Sequence, residues 1–150
     1  MPVLGLFSLF KRFEPRTVYL QGLCNFTSER NGFWNGKPMF RPLGRELDLA
    51  IKSPQEPPGM EAVNFFRQVE GRWNDLWPEV GWTLFAQATG LPEGVRPQLL
   101  FESLHVDALE FWSLEPGKES WEITCTTPLD PRVFCIEMYG WEEQGFRMDG

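Results

Sequence analysis

A chain of 150 residues with 42% hydrophobic and 15% aromatic side chains has the length of one domain and enough apolar surface to bury a core, which excludes a disordered polymer. No apolar run approaches the ~20 residues of a membrane-spanning helix. A formal charge of −7 argues against general nucleic-acid binding, which rests on Lys and Arg neutralising phosphates. The charge is uneven: residues 1–50 carry +3, residues 51–100 carry −2 and residues 101–150 carry −8.

In chain order, residues 1–16 place an apolar run before Lys11 and Arg12, the reverse of a secretory leader. They read as a core-facing segment or a docking arm, and the protein reads as cytoplasmic. Residues 17–25 (TVYLQGLCN) are β-prone and read as one strand. Two Asn-Gly pairs, Asn31-Gly32 and Asn35-Gly36, are turn signals; together they predict a long loop carrying Phe33 and Trp34. Residues 47–51 predict a short strand, and SPQEPPG over 53–59 breaks it.

Residues 60–76 form the clearest helix pattern. Ala62, Phe66, Val69, Trp73 and Leu76 recur at spacings of four and three, one apolar stripe. Trp77-Pro78 reads as its end, with Pro78 opening a second helix to residue 88. Residues 104–113, 121–127 and 132–139 read as a three-strand antiparallel meander, the last strand central because it is apolar on both faces. The polar residues 140–150 read as an exposed tail. Helices and strands are segregated, so the expected class is α+β: a mostly antiparallel sheet packed against a central helix pair, in a single domain.

Three cysteines, Cys24, Cys125 and Cys135, are no disulfide framework. A turn between Cys125 and Cys135 leaves open that the two meet across a hairpin. His105 is the sole histidine, with Asp107 on the same strand face, where it is placed to orient the imidazole. No zinc, EF-hand or phosphate-loop motif occurs. Glu142, Glu143 and Asp149 would reach a divalent ion only by folding against Glu137 or Asp130. No catalytic residue, metal ligand or cofactor is nominated.

The unusual feature is seven tryptophans. Trp73, Trp77, Trp82 and Trp121 fall at core-facing positions. Trp141 lies among Glu142, Glu143 and Phe146, and Trp112 between Glu110 and Glu115. Aromatic anchors ringed by charge are the composition of protein-binding hot spots, so these seven residues are the candidate partner-binding set.

The run FESLHVDALEFW, then SWEITCT, then RVFCIEMYGWEEQGF, preceded by the helical pair, resembles small acidic bacterial proteins of unknown function. Some of those are similar to immunity proteins carried beside polymorphic toxins. The resemblance spans residues 45–145 and is one of element order, acidity and aromatic content. It implies a non-enzymatic partner-binding role.

The expectation is therefore a protein-binding module, monomer or homodimer, docking a basic partner such as a toxin or nuclease through an acidic, Trp-bearing C-terminal surface. A ligand-binding protein or enzyme with a pocket of Trp73, Trp77, Trp82 and Phe85, and His105 at its rim, is the alternative. A structural subunit of a bacterial or phage assembly is a third reading.

Overall fold

The computed structural model describes residues 12–87 and 90–150; of the arm expected over residues 1–16, only 12–16 are among them. Thr17–Leu20 (β1) and Cys24–Ser28 (β2) are two strands where one was expected. Gly22 turns the chain at φ +85°, and the Leu23 N–H donates to the Leu20 carbonyl at 2.9 Å. Asn31-Gly32 joins β2 to Phe33–Gly36 (β3): Gly32 takes φ +83° and Asn31 Oδ1 accepts from the Phe33 N–H at 3.0 Å.

The second Asn-Gly pair is not a turn. Asn35 and Gly36 lie inside β3, and glycine is required there by close packing: a Cβ on Gly36 would stand 2.8 Å from the Phe26 ring and from the Asn25 carbonyl. The expected loop is thus a strand, and Trp34 is 3% exposed, its Nε1–H donating to the Ser53 carbonyl at 3.0 Å. Met39–Phe40 (β4) and Arg45–Glu46 (β5) form a small separate ladder about a 3-10 turn, Arg41–Leu43, and Asp48–Lys52 (β6) returns to the main sheet.

Met60–Gln87 (α1) is one helix. Its predicted stripe of Ala62, Phe66, Val69, Trp73 and Leu76 is buried throughout. The expected break at Trp77-Pro78 does not occur. Pro78 is exposed on α1, so its ring and its missing N–H lie on the solvent side, while Leu76 and Val80 on either side stay buried. A mid-helix proline costs about 3 kcal/mol; continuous burial along the inner face outweighs it. The second helix is instead Pro97–Ser103 (α2), with proline at the helix start. Gly81 of α1 lets α2 approach: a Cβ there would be 2.5 Å from the Phe101 ring.

His105–Ser113 (β7), Ser120–Thr127 (β8), Asp130–Tyr139 (β9) and Glu142–Asp149 (β10) form an antiparallel meander of four strands rather than three. The expected exposed tail is the edge strand β10. Gly140-Trp141 makes the connection, with φ +57° at Gly140, the first central position that two-residue hairpin loops give to glycine. Among the described residues eight strands form one sheet in the order β1-β2-β3-β6-β7-β8-β9-β10. All neighbours are antiparallel except β6 and β7, which the helical crossover joins, as parallel neighbours require. The class is α+β, and no helix among the described residues is long and apolar enough to cross a membrane.

The core lies between α1 and one face of this sheet. Phe65 contacts Phe111, Trp121 and Trp141 at centroid distances of 5.0, 5.8 and 5.4 Å, and Phe40 packs edge-on to Phe66 and Trp73. The cysteines are free. In the β8–β9 register Cys125 pairs with Phe134, and Cys135 with Thr124. The two thiols therefore point to opposite faces, and the bridge left open by the sequence is not formed.

Candidate functional site

The meander has two unlike faces. Along β8 and β9, Trp121, Ile123, Cys125, Phe134, Ile136 and Met138 point at α1 and are buried. The alternate positions face away from the helices. There the register aligns three acids: Glu110 of β7 is directly opposite Glu122 of β8, which is opposite Glu137 of β9. Like charges opposed across strands destabilise a sheet, so the row needs compensation.

Arg147 of β10 supplies it, reaching Glu122 at 3.3 Å, Glu137 at 3.0 Å and Asp149 at 2.7 Å. Its placement depends on an irregularity. The register shifts between Glu143 and Gly145, and one extra residue inverts the alternation beyond it. Phe146 and Met148 then pair with Ile136 and Phe134 on the helix side, and Arg147 pairs with Cys135 on the far side. Gly145 is opposite Glu137, where a Cβ would meet its carboxylate at 2.9 Å.

Glu110, Glu122, Glu137 and Arg147 line a cavity of about 640 Å³ on the outer face, together with Trp112 and Tyr139. Both aromatics are unusually open, 44% and 47% exposed. Glu122 is 6% exposed in its floor. Glu110 is half-buried, and its carboxylate makes no hydrogen bond or ion pair among the described residues. Burial first, and the Glu122 carboxylate second, lift the Glu110 carboxyl above its ordinary range, with Arg147 pulling the other way. Burial and the Glu122 carboxylate likewise push the Cys135 thiol up to about 11, so it is no ready nucleophile.

The seven sequence-nominated residues do not form one surface. Glu110 and Trp112 lie on the outer face. Trp112 touches Phe33 edge-on at 5.2 Å and carries the Lys52 ammonium 5.5 Å from its ring. Glu115 is exposed in the following turn beside Lys118, at 3.8 Å. Trp141, nominated as an exposed anchor, is half-buried instead: it stacks on Phe65 and is covered by the Arg72 guanidinium at 4.4 Å. Phe146 stacks on Phe134 at 5.8 Å. Glu143 lies on the helix side, where burial raises its carboxyl against a hydrogen bond to Thr83 that lowers it. Glu142 is exposed, opposite Tyr139.

Sequence reasoning did not nominate Glu122, Glu137, Tyr139 or Arg147. The alternation along β8 and β9 carried the signal for the first three. Arg147 was hidden by reading its strand as a tail. Asp149, weighed as an ion ligand, pairs with Arg147 instead, and among the described residues no group of three or more His, Cys, Asp or Glu is placed to hold a metal.

His105 meets Asp107 as the strand spacing predicts. Its Nδ1 is 2.7 Å from Asp107 Oδ1, and Asp107 Oδ2 accepts from the Thr126 hydroxyl at 2.7 Å. This chain is on the outer face, while Trp73 and Trp77 stack on each other at 5.1 Å on the helix side. The imidazole thus lies on the sheet face opposite those two indoles; the side chains of Trp82 and Phe85, the other expected members of that pocket, lie outside the described residues. In comparisons with known proteins, no family model matches the chain, and neither a curated protein nor a solved structure matches it.

Proposed function

We propose that this chain is a non-enzymatic protein-binding module, of the immunity or inhibitor kind, that docks a basic partner on the outer face of the β7–β10 meander. The observation carrying this reading is Glu110: a half-buried carboxylate with no ion-pair partner among the described residues, beside the buried Glu122 and with the exposed Trp112 and Tyr139 on the same face. That arrangement costs the fold free energy, since Arg147 offsets burial and the Glu122 charge only in part. A cationic partner would relieve it, and exposed Trp and Tyr supply anchors of the kind that dominate interface energies. The net charge of −8 over residues 101–150 adds long-range attraction that raises association rates.

The test is charge reversal on a partner recovered from the native source. Replacing both Glu110 and Glu137 with Lys is expected to slow association at least about tenfold at low salt and to flatten its salt dependence. Glu143→Lys, on the helix side, is the control and should change association far less. Equal effects of the two variants would refute the outer face as the docking surface.

A further inference from the structure

The outer face already shows how it accommodates a cation. Arg147 enters from β10 and spreads its guanidinium over Glu122, Glu137 and Asp149. At the other end Lys52 lies over Trp112. Between these two cations stands Glu110, opposite Glu122 and two residues from Trp112 on the same strand. The register shifts at Trp112, yet both side chains line the same cavity, within reach of one long, flat cation. The cavity of about 640 Å³ is large enough for a long side chain.

We propose that the Glu110–Trp112 position receives a single arginine side chain of the protein partner, its guanidinium forked on Glu110 and lying against the Trp112 ring. This rests on the docking reading above and names its chemistry. Arginine is favoured over lysine for three physical reasons. Guanidinium is more weakly hydrated, so it enters a half-buried site at lower desolvation cost. Its paired N–H groups match a carboxylate in two parallel hydrogen bonds. Its plane stacks on tryptophan. The chain's own guanidinium in the same trough is the internal precedent.

The experiment titrates the intact protein with capped tri-arginine, tri-lysine and tri-citrulline peptides while recording the indole N–H resonances by NMR. Tri-arginine should shift the Trp112 resonance saturably. Tri-lysine should bind at least about threefold more weakly, and neutral tri-citrulline should not shift it. Glu110→Gln should weaken tri-arginine about tenfold, the loss of one charge-assisted pair, and Trp112→Ala, followed by backbone amide shifts along β7, should weaken it too. Both variants must keep the parent Tm, and Glu143→Gln should leave binding unchanged.

If tri-arginine shifts Trp141 instead and Glu143→Gln removes the effect, the arginine site proposed here is wrong and the cationic contact belongs to the helix side. If Glu110→Gln binds tri-arginine as the parent does, the proposal also falls. Failure of the docking reading itself has a separate signature: a captured partner whose association ignores every charge reversal on the meander.

Discussion

At the residue scale, the outer face is governed by an imbalance that a core would not tolerate. Of three glutamates in a cross-strand row, two pair with one arginine, and the third, Glu110, has its carboxyl raised by burial and by Glu122. A carboxyl raised in the folded state favours folding when protonated, and that contribution is lost as the pH climbs from the ordinary carboxylate value through the raised one. Glu110→Gln should therefore stabilise the protein at neutral pH, by less than about 1 kcal/mol given solvent screening. The gain should shrink toward zero near pH 4. Denaturant midpoints of parent and variant across pH 4 to 7 check this; a gain that grows toward low pH would contradict the assignment. Trp141 teaches the opposite lesson. Its acidic neighbours mark it as exposed, yet Phe65 and Arg72 enclose it, because the Gly140-Trp141 loop folds the indole back over the sheet end.

At the scale of elements, α1 was legible because its apolar period survives intact from Ala62 to Leu76. Its continuation was not, because Pro78 is a strong local stop signal that only tertiary burial overrides. Two glycines of this helix separate the effects. Gly71 is exposed with nothing within 4 Å of a Cβ, whereas a Cβ on Gly81 would meet the Phe101 ring at 2.5 Å. Gly71→Ala should stabilise by about 0.5–1 kcal/mol through helix propensity alone. Gly81→Ala makes the same gain but meets an overpacking cost of about 1–3 kcal/mol, so it should be net destabilising. Urea unfolding of the two variants decides; stabilisation by both would mean that α2 does not press on α1 as described. The strand β10 was illegible for a related reason. Its alternation is inverted by the register shift after Glu143, so no single period runs through it. Likewise Asn35-Gly36 mimics a turn, and only the approach of Phe26 reveals that this glycine serves packing.

At the scale of the whole molecule, class and strand content follow from segregation of periods, but the parallel β6–β7 pairing does not, since it depends on where the helical crossover returns. That crossover divides the sheet into a face covered by α1 and an outer face, and so decides that Glu110 and Trp112 are separated from Trp141, Glu143 and Phe146. The acidity of the last third, plain in the sequence, becomes a surface only through this division. On the docking proposal, the outer face meets a cationic partner. Carbodiimide labelling of carboxylates, read by mass spectrometry with and without the bound partner, tests it most directly. Glu110 and Glu137 should lose reactivity in the complex while Glu79 and Glu143 keep theirs. Protection of Glu79 and Glu143 with Glu110 and Glu137 unchanged would contradict it.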